Sequence, residues 1–339
     1  MATAVAGAPS SARWSGEGVR IGEVAARLAE LRHGLAAEGA VPARTSVLNL
    51  IAWAPDEAAA AEMEDVVDHL ADHHPSRAVI LTTAPSGDGI DARAEAAVRR
   101  ATDGRPVEVE RVVLTLRGGV VEHAASAVIP LLRSDLTTFL WWPGRPDATH
   151  PVMRDLGGIA DRVVTEAARD ADGPEAAAAL ADLASADGAA VTDLAWAEVT
   201  AWRQTVALTI RGAALRSLQE GDAAIRVAGG GDAPSLEALL VAGWLAGLVG
   251  PHARVAVEAR SGQAGGLCAI ELDGDAGEVC AIVRAEAASS VAVRTRSGER
   301  SLPVPAPSRS ALLAGELELR SHDRPFERAV RRAAAIAAG

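Results

Sequence analysis

At 339 residues, 49% of them hydrophobic, the chain is long enough for two domains and too apolar to be disordered. Its charge of −12, from 45 acidic and 33 basic side chains, lacks the basic excess a phosphate-backbone partner requires, so nucleic acid is not an expected partner. The basic side chains are all Arg, Tyr is absent, Phe occurs twice and Trp seven times, which makes each Trp a candidate for a core or an interface; two Cys are too few for a disulfide framework and suit a reducing cytoplasm.

Residues 1–20 have neither a basic start nor a continuous apolar stretch, and they are expected to be a flexible tail and not a signal peptide. An N-terminal α/β domain follows over 21–168. Residues 47–53 are a nearly continuous apolar run, the pattern of a strand covered on both faces. Pro55-Asp56 opens a helix to about Ala71, with Met63, Val66, Val67 and Leu70 at helical spacing. His74-Pro75-Ser76 ends it, and 78–81 is a second apolar strand. These three elements predict a βαβ unit with parallel strands.

Residues 107–116 alternate apolar and charged side chains, which predicts a half-exposed, antiparallel strand. A buried helix at 124–132, a buried strand at 138–142 and a short strand at Val163-Val164 complete this half. The polar stretch 169–175 is the expected linker to a C-terminal α/β domain over 176–339.

That second half begins with a helix at 175–186, a strand at 192–196 and a helix at 202–218. Residues 225–228, a Gly-rich turn and the helix from Ser235 repeat the βα theme. The apolar run 236–249 is too short to span a bilayer of about 30 Å and is expected to be a buried helix, so no membrane partner is expected. Strands follow at 255–258 and 290–295, with a hairpin between them. Pairing Leu272 with Val279 in that hairpin sends Cys268 and Cys280 to opposite faces, as buried small hydrophobes. Pro303, Pro305 and Pro307 form a stiff spacer before helices at 311–319 and 326–336. The class is α/β throughout: a βαβ parallel core plus an antiparallel strand in the first domain, and a mixed sheet with an antiparallel hairpin in the second.

Signatures of enzymes are sparse. G-x-S-x-G, H-E-x-x-H and the P-loop are absent, and a chain without Lys can form no Schiff base. Gly229, Gly230, Gly231 and Ser235 lie between a strand and a helix, where backbone N–H groups can hold a phosphate, with Glu258 at the end of the next strand. Pro234 occupies the last glycine position of the dinucleotide fingerprint and Asp232 opposes an anion; the competing reading is an ordinary turn with Ser235 as N-cap. This turn carries the alternative functional reading, a nucleotide- or sugar-phosphate-binding enzyme or sensor. Asp65, His69 and His73 fall at i, i+4 and i+8, a metal-like spacing that His residues near a helix C-terminus also satisfy through the dipole, so no metal site is assigned.

Trp141-Trp142-Pro143-Gly144-Arg145-Pro146 is the most unusual stretch. Successive strand residues face opposite ways, so the two Trp either fill both faces of a covered sheet or leave one for a partner, beside a rigid cationic loop. Together with Ala43 to Leu50, His74 to Ala78, Leu136 to Pro146, Ala160 to Val163, Asp193 to Trp196 and Thr200 to Arg203, this stretch resembles the OpcA family, glucose-6-phosphate dehydrogenase assembly proteins of actinobacteria and cyanobacteria, in its actinobacterial type.

The resemblance implies a non-catalytic, cytoplasmic partner, without a cofactor, that promotes assembly or the active state of glucose-6-phosphate dehydrogenase at the head of the oxidative pentose phosphate pathway. It places neither Cys268 nor Cys280 at the positions linked to redox control in cyanobacterial members. Candidate partner-binding residues are Trp141, Trp142, Pro143 and Arg145, with Arg77, Trp196, Trp202 and Arg203 in the other matching segments.

Overall fold

The computed structural model describes residues 10–37, 46–101, 103–186, 188–263, 265–285 and 289–339. Residues 1–9 of the expected tail and 43–45 of the first matching segment lie outside these.

In the first half, β1 (Ser10–Gly16) and α1 (Ile21–Ala37) precede β2 (Leu48–Trp53), α2 (Glu57–Leu70) and β3 (Ser76–Thr83). Then come β4 (Gly89–Arg100), β5 (Pro106–Arg117), α3 (Ala124–Val128), β6 (Thr138–Trp142), α4 (Pro151–Gly157), β7 (Arg162–Thr165), α5 (Gly173–Leu183) and β8 (Ala190–Asp193). The eight strands form one sheet in the order β1-β4-β5-β3-β2-β6-β7-β8. From β5 to β8 all neighbours are parallel, while β4 and β1 are antiparallel additions at one edge.

The expected βαβ unit is present, and its helix starts where Asp56 caps it by accepting from Ala59 N–H at 2.8 Å. From β2 the chain winds outward through β3 to β5, crosses back, and winds the opposite way from β6 to β8. The order therefore reverses between β2 and β6, the switch point of a doubly wound sheet. One face carries α1, α3 and α4 over Ile51, Val79, Leu114 and Leu140; the other carries α2 over Leu50, Ile80 and Phe139.

The second half consists of α6 (Leu194–Glu198), α7 (Thr200–Thr209), α8 (Ala213–Glu220), β9 (Ala224–Gly230), α9 (Leu236–Val249), β10 (Arg254–Arg260), β11 (Gly266–Gly274), β12 (Gly277–Arg284), β13 (Ser290–Thr295), β14 (Gly298–Pro303), α10 (Arg309–Leu317) and α11 (Arg324–Ala337). The second sheet runs β10-β9-β11-β12-β13-β14; β9 and β10 are parallel around α9, and the other pairs are antiparallel. The apolar run 236–249 is α9, buried between this sheet, α5 and α11. No helix among the described residues is long and apolar enough to cross a membrane.

Several expectations change in three dimensions. Ser10–Gly16, in the stretch read as a tail, is the edge strand paired with β4. β4 escapes the sequence pattern because its inward residues are alanines (Ala92, Ala94, Ala96), which are weak strand formers. β5 is not half-exposed. Glu108, Glu110 and Arg111 are buried, because neighbouring strands and α2 supply partners: Arg111 donates to Asp68 at 2.9 Å and to Glu95 at 2.5 Å. It is antiparallel to β4 but parallel to β3.

The polar stretch 169–175 does not separate the sheets. Asp172 caps α5 by accepting from Glu175 N–H at 2.9 Å, and β8, further on, still joins the first sheet. The strand expected at 192–196 stops at Asp193, whose carboxylate caps α6, so Trp196 is helical. The helix at 202–218 breaks at Gly212, where φ is +59°. In the hairpin Leu272 pairs with Cys280, not Val279, because a bulge after Leu272 absorbs one residue. Cys280 thus points with Ile282 into the core, a second bulge spans Cys268, and both thiols are free and buried.

The C-terminal segment returns to the first sheet. Leu313 and Leu317 of α10 join the core under α2, and Arg162 of β7, fully buried, donates to Glu316 at 2.8 Å and to the Ser321 carbonyl at 2.7 Å.

Candidate functional site

In a doubly wound sheet, ligands bind beyond the carboxyl ends of the strands at the switch point, here the ends of β2 and β6. Those ends are Trp53 and Trp142. Parallel pairing in register brings the two indoles side by side on one face, stacked with centroids 5.6 Å apart at 13°, and His150 meets the Trp142 ring edge-on at 5.2 Å. Each Trp is 6% exposed. Stacked aromatic side chains therefore fill the place where this topology ordinarily leaves a crevice.

Alternation sends Trp141 to the other face, where it is 0% exposed. Its Nε1 donates to Glu166 at 2.7 Å, and the guanidinium of Arg309, 4.8 Å from the ring centroid, binds the same carboxylate through Nη2 at 2.7 Å. Arg169 donates to Glu62 at 2.8 Å, and that hydrogen bond holds the Glu62 carboxyl below its ordinary range. The edge is thus closed by protein on both faces, and α10 supplies one of the closing groups through Arg309.

The loop after β6 is held at several points. Arg145 N–H donates to Asp170 at 2.6 Å, its carbonyl accepts from Trp142 Nε1 at 3.3 Å, and Gly144 packs so closely on Asp170 that a Cβ would lie 2.6 Å from its carboxylate. Pro146 is buried, while the Arg145 side chain projects into solvent. A cation on a pinned backbone loses little entropy on docking.

The remaining sequence candidates serve packing. Trp196 and Trp202 are 1% and 2% exposed. Arg203 stacks over Trp196 at 3.6 Å, and burial lowers the pKa of its guanidinium. Arg77 forms a two-pronged pair with Glu110 at 2.8 and 3.0 Å and donates to the Leu131 carbonyl. Pro143 is half-buried. Trp53, His150, Glu166 and Arg309 escaped sequence reasoning; Trp53, closing an apolar strand run, was the one with a legible signal.

At the second switch-like position, Ser235 caps α9 by accepting from Ala238 N–H at 3.3 Å. Gly229, Gly230 and Gly231 lead into this turn, and the first turn of α5 lies against it: a Cβ on Gly173 would collide with the Pro234 carbonyl. Glu258 lies within β10, exposed, rather than at its end. The metal-like spacing fails because α2 ends at Leu70, leaving His73 outside the helix, and His69 hydrogen-bonds the Asp65 carbonyl at 2.7 Å.

Where the two halves meet, Asp193 is buried and accepts from Thr165 Oγ1 at 2.7 Å, Ala167 N–H at 2.8 Å and Ala195 N–H at 2.9 Å. Burial outweighs these donors and pushes its carboxyl up to about 7, with Glu237 nearby adding to the rise.

Two family models match the chain in tandem. One, described as the glucose-6-phosphate dehydrogenase subunit N-terminal domain, covers residues 67–185; the other, described as the C-terminal domain of the same subunit, covers 189–330. A curated relative from Nostoc punctiforme, named "Putative OxPP cycle protein OpcA", is 26% identical over 188 residues, 53% of this chain and 39% of the relative. The match thus spans about two fifths of that relative's length.

Proposed function

We propose that this chain, which belongs to the OpcA family, binds glucose-6-phosphate dehydrogenase, favours its active state and performs no chemistry itself. The observation that carries this reading is the tandem match of both halves to domains described as parts of one dehydrogenase subunit. The closed carboxyl edge supports it: Trp53 and Trp142 occupy the crevice a substrate would need, and the same edge holds the exposed Arg145 on a pinned loop. An effector raises activity only by binding the active conformer or oligomer better than the inactive one. A tenfold shift takes about 1.4 kcal/mol of differential binding, within the reach of one or two well-placed side chains.

Mixing the purified chain with its cognate dehydrogenase tests the proposal. We expect a complex by mass and a higher kcat/KM for glucose 6-phosphate, with no NADP reduction by the chain alone. Unchanged kinetics with demonstrably bound chain would sink it. Thermal stabilisation of the isolated chain by nucleotide or sugar phosphate would favour a ligand sensor instead.

A further inference from the structure

Helix α9 is apolar around most of its circumference and is buried along most of its length, but its last turns emerge at the surface with Trp244 and Leu248 half-buried and Gly247 exposed. Helix α11 crosses it at Gly243, so closely that a Cβ there would collide with the Ala329 carbonyl. Beyond the crossing the helices leave a surface groove of about 280 Å³, lined by Trp244, Gly247, Leu248, Pro325, Arg328 and Arg332. Gly247 forms part of its wall, with the Arg332 guanidinium 2.6 Å from where a Cβ would stand.

Arg324, Arg328, Arg331 and Arg332 are all exposed, and none has a carboxylate partner among the described residues. Among the described residues Arg332 donates only to the Arg328 carbonyl, at 3.5 Å. Many arginines elsewhere, among them Arg13, Arg32, Arg77, Arg111, Arg117, Arg162, Arg169, Arg226 and Arg309, are paired with carboxylates, whereas α11 carries four without such a pair within nine residues. Like charges three or four residues apart on a helix repel and destabilise it. A chain of charge −12 thus concentrates unneutralised cations on one helix beside a half-buried indole. Trp and Arg together at a groove are the composition of a binding hot spot.

We propose that the groove between α9 and α11 docks an acidic segment of a protein partner, its carboxylates on Arg328 and Arg332 and an apolar side chain against Trp244 and Leu248. Guanidinium forks bind carboxylates with two parallel hydrogen bonds, which gives such a segment a defined register. The helix is not free to enter a lipid surface, because its apolar face (Phe326, Val330, Ala333) is already in the core. The inference rests on the reading that this chain works by binding a protein, and it names the surface and the chemistry of that contact.

The test has two arms. In the first, calorimetry measures the cognate dehydrogenase against the parent, the Arg328→Glu/Arg332→Glu variant, Trp244→Ala and a control, Arg254→Glu, on exposed β10. The charge reversal should weaken binding at least about thirtyfold and Trp244→Ala about tenfold, with the control unchanged and all melting temperatures near the parent's. In the second arm, a fluorescent peptide of repeating Glu-Glu-Leu is titrated at low salt; it should bind the parent and lose binding to the charge reversal. Equal dehydrogenase affinity for parent and charge reversal overturns the groove and leaves the functional reading standing. Failure of the parent to bind the dehydrogenase removes the functional reading, and the peptide arm alone then decides the groove: no binding, or equal binding by both proteins, overturns it. Self-association of the parent that the charge reversal abolishes would make the occupant a second copy, which also overturns the proposal.

Discussion

Trp142→Ala separates packing from docking at the carboxyl edge. The indole is 6% exposed, stacks on Trp53 at 5.6 Å, meets His150 at 5.2 Å and ties the Arg145 carbonyl through Nε1. Truncating a buried Trp costs about 3–5 kcal/mol, of which an aromatic pair beyond its burial accounts for about 0.5–1.5 kcal/mol. A loss near 4 kcal/mol lowers the midpoint of a chain this large by roughly 6 °C. Arg145→Ala removes an exposed side chain while its backbone bonds remain, so stability should stay within about 0.5 kcal/mol of the parent. Thermal and urea unfolding followed by circular dichroism measure both variants, and titration with the dehydrogenase measures their affinity. Arg145→Ala should weaken binding by about tenfold or more, the loss of one charge-assisted contact. A Trp142→Ala protein that melts with the parent would refute the packing argument, and parental affinity in Arg145→Ala would remove this loop from the interface.

Burial raises the Cys280 thiol to about 11, so at neutral pH Cys280 should label with a thiol reagent only as fast as the protein opens, and prompt labelling of Cys280 in the native chain would contradict this. Asp193 is an acid whose folded pKa, about 7, lies above its ordinary 3.8, so its proton favours the native state most at low pH and that contribution fades as pH rises through 7. The stability of the parent relative to Asp193→Asn should therefore fall by up to about 4 kcal/mol between pH 4 and 8, and parallel profiles in urea unfolding would show that the carboxyl is not perturbed. Glu316→Leu leaves the buried Arg162 charge unpaired and should cost about 3–5 kcal/mol, while Arg162→Met/Glu316→Leu should recover most of it; equal losses in single and double variants would deny the pair its role.

The sequence by itself determined the elements whose signal is local. Residues 48–53 and 138–142 are apolar but for Asn49 and Thr138 because both sheet faces are covered, and Asp56 and Ser235 cap helices where a short acceptor precedes an apolar repeat. The opposite facing of Trp141 and Trp142 followed from strand geometry alone. The tertiary structure decided whatever depends on distant partners. Glu110 and Arg111 look like a solvated face until Arg77, Glu95 and Asp68 arrive from other elements to pair them in the interior. One bulge after Leu272 reversed the face of Cys280, because a strand's side-chain period of two turns a single-residue slip into a change of side. Trp141 became a closed site only through Arg309, and the groove at Trp244 exists only because Gly243 lets α11 cross α9 at backbone contact, a juxtaposition that no periodicity along the chain encodes.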